Sequence, residues 1–155
     1  KKESVKRVTE ELKKFNPNLK VIVLNSTART AKDAANSLKC ELGAIVKSLV
    51  FKTENKFVVC LVAGDKRCSL NKLKKILDKK DVSMANADQV KENTGFSIGG
   101  VSPTGHLEKL QIIIDKSLSR FKYVYGAAGH PDCVFKINYL ELVKLTSGLE
   151  KEIIE

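Results

Sequence analysis

Lys47 is the residue whose type and setting most invite chemistry. In the segment Ile45-Val46-Lys47-Ser48-Leu49-Val50-Phe51, the two-residue alternation of a strand puts Lys47 on one face with Ile45, Leu49 and Phe51. A lysine among apolar neighbours either snorkels to the surface or keeps its ammonium desolvated near a carbonyl or an anion. Desolvation lowers its pKa, which is how a lysine becomes catalytic or substrate-orienting. The competing reading is a strand buried on its other face, Val46, Ser48 and Val50, with Lys47 in solvent.

A second candidate is the stretch from Gly95 to His106, with four glycines and one proline in twelve residues. Such density suits a backbone that approaches a ligand closely and offers it N–H or C=O groups, and it equally suits a surface loop with tight turns. It has neither the Gly-Lys-Ser/Thr ending of a P-loop nor the spacing of a dinucleotide-binding turn. His106 and His130, the two histidines, each follow a glycine and could act as base, donor or solvated loop residue. No carboxylate or third ligand stands at a metal-binding spacing from them, and Cys40, Cys60, Cys68 and Cys133 form no C-x-x-C pair, so no metal is expected. A serine or cysteine nucleophile lacks support, because there is no G-x-S-x-G elbow and no basic helper beside any cysteine. Ser102, before Pro103, is at best a substrate contact.

The elements that must position these residues follow from periodicity and breakers. Val5, Val8, Leu12 and Phe15 mark a first helix, stopped by Asn16-Pro17-Asn18, and residues 20–24 read as a buried strand. A helix begins near Thr30, whose spacing to Asp33 resembles a capping box, and Ala31, Ala34, Ala35 and Leu38 form its inner face. Strands over 44–51 and 57–63 joined by Thr53-Glu54-Asn55 predict an antiparallel hairpin. A lysine-rich helix follows Gly64-Asp65-Lys66-Arg67, with Leu70, Leu73, Ile76 and Leu77 inward. Then come a short strand at 82–84, a helix capped by Asn86 and Gln89 and ended by Gly95, strands over 111–115, 123–127 and 133–137, and a helix opened by Asn138. Helices and strands mix without strict βαβ alternation, which predicts an α+β, mixed-sheet domain over 1–155.

The net charge of +10, from 28 basic and 18 acidic residues, favours a polyanionic partner through counterion release. Aromatics at 6%, with no Trp, argue against a base-stacking platform for single strands. No apolar run or leader pattern suggests a membrane or export, and the cysteines read as reduced, so a cytoplasmic location is expected. The chain opens on Lys1, so it is either trimmed or a piece of something larger.

Taken in order, four segments resemble the YbaK/prolyl-tRNA synthetase-associated editing domains. They are Thr30-Ala31-x-Asp33-Ala34-Ala35 with the Lys47 strand; Leu61-Val62-Ala63-Gly64-Asp65-x-Arg67; Thr94 to His106 with its Gly-Gly-x-x-Pro-x-Gly-His loop; and Tyr125 to Pro131 with Asp115. The resemblance runs from about residue 20 to about 148, leaving out the N-terminal helix (1–18) and the acidic tail from Glu150. It implies a mixed, mostly antiparallel sheet or half-barrel surrounded by helices, no metal or organic cofactor, and deacylation of mischarged tRNA, typically tRNA for proline carrying Ala or Cys. Prolyl-tRNA synthetase is an implied partner. Lys47 is the implied catalytic residue. The implied substrate contacts are Thr30, Gly100, Ser102, Pro103, His106, Gly129 and His130, and Lys72, Lys74 and Lys75 are placed for tRNA phosphates. A non-catalytic tRNA-binding or synthetase-associated module, and a small-molecule hydrolase, are the competing classes. Pocket shape, rather than sequence, decides which aminoacyl group is removed.

Overall fold

The structure is a computed structural model that describes residues 2–24 and 30–155. Helix α1 (Lys2–Phe15) buries Val8 and Leu12 and ends where Asn18 N–H bonds the Asn16 side chain, an Asx turn that reverses the chain at Pro17. Strand β1 (Val21–Val23) follows. Helix α2 (Ala31–Leu38) starts on a closed capping box: Asp33 N–H donates to the Thr30 hydroxyl (3.1 Å) and Thr30 N–H to the Asp33 carboxylate (3.2 Å). Asp therefore does the work usually given to Glu or Gln.

After a 3-10 turn at Leu42–Ala44, β2 (Val46–Thr53) and β3 (Lys56–Ala63) form the expected hairpin, with Glu54 in the left-handed region. Helix α3 (Leu70–Leu77) is capped by Ser69, strand β4 (Ser83–Met84) is brief, and α4 (Ala87–Thr94) has the Asn86–Gln89 box and ends on left-handed Gly95. The chain closes with β5 (Gln111–Asp115), β6 (Val124–His130), β7 (Cys133–Ile137), α5 (Tyr139–Thr146) and β8 (Leu149–Lys151).

These strands make two sheets. One is antiparallel, in the order β1-β7-β6; the other has five strands in the order β4-β2-β3-β5-β8 and is mixed, since β3/β5 and β5/β8 run parallel. The fold is thus α+β, with one antiparallel and one mixed sheet, neither closed into a barrel, and helices packed about them. β3 is central, and its continuous apolar run is buried on both faces. Val59, Leu61 and Ala63 enter the main core with Phe96, Phe135 and α1, while Val58, Cys60 and Val62 enter a second core with Leu73 of α3.

The tail, which sequence patterning left without an element, is built in. β8 pairs with β5, Ile153 fills the second core, and the Ile153 N–H donates to the fully buried Asp115 carboxylate at 2.8 Å. Parallel pairing between segments so distant in sequence leaves no local pattern to read.

Candidate active site

The geometry around Lys47 follows from an unfinished edge of the five-stranded sheet. β4 pairs with β2 only at Phe51 and Lys52, so among the described residues no strand pairs with the first half of β2 on that side. Just before β2, Ile45 makes an isolated bridge to Tyr125 of β6. The gap between the two sheets is a cavity of about 290 Å³. Its walls are Ala31 and Ala34 from α2, Val46 to Val50 from β2, Val90 from α4, and Tyr125 and Val134 from the other sheet. The two alanines matter here, because larger side chains on α2 would fill the space. The volume lies at the small end of the ~300–1,000 Å³ of typical ligand pockets.

Both faces of β2 are packed. Val46 and Val50 point to the main core, Phe51 to the second core, and Ser48 is among the residues that line the cavity. Lys47 is half-buried between these situations. Its ammonium donates to the Lys66 carbonyl at 2.5 Å, which uses one of its three N–H donors. Burial pushes its pKa down, and the nearby Arg67 adds to that shift while Asp65 opposes it.

The carbonyl that receives Lys47 is held in place by tight packing around its turn. Asp65 takes a two-pronged ion pair from Arg120 (2.9 and 3.1 Å), and the Arg120 guanidinium lies 4.7 Å over the Phe121 ring. A Cβ on Gly64 would stand 2.4 Å from the Leu42 carbonyl oxygen, so only glycine lets the turn approach this closely.

The Gly-rich segment forms the opposite rim. Ile98, Gly99 and Val101 line the cavity, and Gly100 N–H closes a turn onto the Ser97 carbonyl at 2.9 Å. A Cβ on Gly100 would lie 3.0 Å from His130 Cα and 3.1 Å from Pro131 Cδ, which explains the glycine at this crossing. The Gly100 N–H is therefore engaged within the turn.

Of the residues proposed from sequence, Thr30 and Lys47 line the cavity and Gly100 backs it. Ser102 and Pro103 are buried behind the rim: the Ser102 hydroxyl accepts from Thr104 N–H, and Pro103 packs against Gly126. His106 lies on another hollow, with Glu11 and Leu110. Its Nε2–H donates to the Ser102 carbonyl at 2.7 Å, its ring meets Phe96 edge-on, and burial pushes its pKa down.

Gly129, at φ 93°, presses against α1, where the Ser4 hydroxyl donates to its carbonyl at 2.8 Å. His130 Nδ1 bonds the Asp132 carboxylate. With Cys133 these two bring three donors of metal-ligating type within 4.8 Å of one another, a cluster that arises from the β6–β7 turn. Lys72 is tied to Glu152 (2.9 Å) and the Ile154 carbonyl (2.7 Å), whereas Lys75 is exposed and Lys74 half-exposed on the same helix.

Two features escaped the sequence reading. Ser48 lines the cavity, and its hydroxyl is buried with no hydrogen-bond partner among the described residues. A hydroxyl inside an otherwise apolar strand was the available signal. The other is α1, whose Arg7 bonds the carbonyls of Gly105 (3.1 Å) and Thr94 (3.2 Å) and so clamps both ends of the Gly-rich loop.

An α+β scaffold with a small, mostly apolar cavity, a half-buried lysine and a glycine rim outlines a candidate small-ligand site. Comparison with known proteins narrows the class. The aminoacyl-tRNA editing domain family matches residues 25–145, and the chain belongs to that family. It is 31% identical over 140 residues to the uncharacterized protein YwhH of Bacillus subtilis, covering 90% of this chain and 88% of that one. It is 36% identical over 105 residues to the proline–tRNA ligase of Thermosipho africanus, covering 67% of this chain and 18% of the ligase. The chain thus spans about a fifth of the length of the ligases it matches. A crystal structure of a candidate trans-editing enzyme for prolyl tRNA synthetase superposes with a TM-score of 0.94 at 37% identity, covering 98% and 97% of the two chains. Among the described residues, no helix is long and apolar enough to cross a membrane.

Proposed function

We propose that residues 1–155 form one editing unit that hydrolyses the ester of mischarged aminoacyl-tRNA, with Ala or Cys on tRNA for proline as the substrates and the cytoplasm as the location. The observation that carries this is Lys47, whose half-buried side chain lines a small, mostly apolar cavity sized for a small aminoacyl group. Ester hydrolysis needs a positioned water and positive charge or donors at the developing oxyanion. The two N–H donors that Lys47 does not give to Lys66 can meet the ester carbonyl and the ribose. Carbonyls of the turn at Gly100 can take the substrate α-ammonium, with Thr30 at the mouth. Ser102, Pro103, His106, Gly129 and His130 act by holding that rim in place. Resemblance to a candidate trans-editing enzyme and to synthetase segments supports prolyl-tRNA synthetase as the source of the mischarged tRNA.

Among the described residues, those lining the cavity include no imidazole, carboxylate or thiol. Water is therefore oriented by Lys47 and backbone groups, and its proton passes to the leaving ribose oxygen or to solvent. The same observation favours the second reading, a tRNA-binding module of this fold without catalysis. A deacylation time course beside a tRNA-binding titration separates the two. We expect Ala-tRNA for proline to be deacylated and Pro-tRNA spared, because the proline ring brings two further carbons into the cavity and overpacking typically costs about 1–3 kcal/mol. Lys47→Ala is expected to lower kcat/KM by about 100-fold or more. Full activity in Lys47→Ala would remove the assignment.

A further inference from the structure

The hairpin that joins β6 to β7 gathers three side chains able to ligate a metal. His130 and Cys133 are directly opposed in the register, so their side chains leave the same face of the sheet as near neighbours. The chain reverses between them at Pro131 and Asp132, and the Asp132 side chain folds back over the turn. Its Oδ1 lies 2.5 Å from His130 Nδ1 and 3.3 Å from Cys133 Sγ, and the three donor atoms all stand within 4.8 Å of one another. A tetrahedral zinc ion with bonds of about 2.0–2.3 Å holds its ligand atoms roughly 3.3–3.6 Å apart. Small side-chain rotations bring this set onto one ion.

Proton bookkeeping at His130 points the same way. Asp132 N–H donates to His130 Nδ1 at 3.2 Å, which requires a lone pair on that nitrogen. The same nitrogen faces the carboxylate oxygen, which bears lone pairs of its own. Positive charge must therefore enter between them, as a second ring proton or as a metal ion. The buried Cys133 sulfur separates these two cases, because it adds a metal ligand and contributes nothing to a histidine–aspartate ion pair.

We infer that His130 Nδ1, an Asp132 carboxylate oxygen and the Cys133 thiolate form a zinc site, with water as the fourth ligand. The inference is independent of the deacylase reading. Binding releases the Cys133 thiol proton to solvent, and the two anionic ligands then balance the charge of the ion. Sulfur and imidazole select zinc over magnesium or calcium, which take oxygen ligands. The His130 and Asp132 side chains are 32% and 16% exposed, which leaves a solvent path for the ion, while Cys133 closes the inner side. Pro131 and Val134 line the cavity but the three ligands do not, so the ion fastens the cavity wall from behind. It ties together the end of β1, whose neighbour Leu24 gives its N–H to the Asp132 carbonyl at 2.6 Å, and the crossing of His130 with Gly100. A His-x-Asp-Cys run is too compact to match the usual ligand spacings; the hairpin register is what assembles it.

The test uses the whole reduced chain with zinc chloride or cobalt chloride. Zinc is expected to bind stoichiometrically with proton release and to raise the melting temperature. Cobalt should give a thiolate-to-metal absorption band that vanishes in Cys133→Ala and survives in Cys68→Ser, a half-buried thiol outside the cluster. Asp132→Asn, which keeps the shape of the side chain, is expected to weaken zinc binding by at least about 10–100-fold. Absence of stoichiometric zinc, a cobalt band that persists in Cys133→Ala, or unchanged zinc affinity in Asp132→Asn would overturn the site and leave a histidine–aspartate ion pair.

Discussion

Ser48 and Thr53 offer a comparison within one strand. Both hydroxyls are buried on β2 without a hydrogen-bond partner among the described residues, yet only Ser48 lines the cavity. An unsatisfied buried hydroxyl costs about 1–3 kcal/mol, so removing it relieves the fold. Thr53→Val should raise the melting temperature and leave deacylation untouched. Ser48→Ala should be neutral or stabilising in the same melt, and a fall in its kcat/KM would show that this cavity-lining residue also meets the substrate. Equal activity in the two variants would return Ser48 to the role of core filler. At this scale the sequence was informative about Lys47 and silent about its neighbour. Alternation alone left open which face of β2 is buried; in the structure both are, because the strand lies between two cores.

The Gly-rich loop and α1 are the elements that turn a sheet edge into a cavity. The loop is pinned from beneath by Arg7 and from within by the His106–Ser102 bond. Burial pushes the His106 pKa down and the Arg7 charge adds to that, while the bond to the Ser102 carbonyl opposes them. Its folded pKa lies below its unfolded value of about 6.5, so the unfolded chain takes up the proton first. Stability from this residue is complete above about pH 6.5 and is lost as pH falls through the depressed folded value. Chemical denaturation at a series of pH values should show this acid-side loss, and His106→Gln should flatten it. An unchanged pH profile in the variant would show that His106 does not couple to folding. Caps and breakers made these elements readable, since Thr30 with Asp33 and Asn86 with Gln89 encode helix starts within four residues. The contact of α1 with the loop spans nearly a hundred positions and has no local signature.

Over the whole molecule, the second core is completed by the C-terminal segment, and Asp115 is the joint. Its carboxylate accepts from Ile153 N–H, Ser117 N–H and the Ser117 hydroxyl while fully buried. Asp115→Ala would leave those donors unpaired at a cost of about 2–3 kcal/mol, read as a lower denaturant midpoint and earlier proteolysis of the tail. An unchanged midpoint would mean that the tail docks through Ile153 alone. The net charge of +10 is a property of the same scale. Affinity for tRNA should fall steeply with salt, and Lys75→Ala should reduce the slope of log K against log salt by about one if Lys75 meets a phosphate. Lys72→Ala should loosen the tail instead, because its ammonium is engaged by Glu152 and Ile154.

Local chemistry was enough to place most helices and strands, the β2–β3 hairpin, the basic character and, through the ordered motifs around Lys47 and Gly100, the family. Those features depend on residues close in sequence, where periodicity, caps and glycine requirements act. Tertiary structure alone decided that β2 has an open edge, that Ser48 is buried beside the cavity, that His106 faces away from it, and that the tail completes a core. Each of these depends on which distant segments meet, and burial and hydrogen-bond satisfaction across such contacts are properties of the assembled fold.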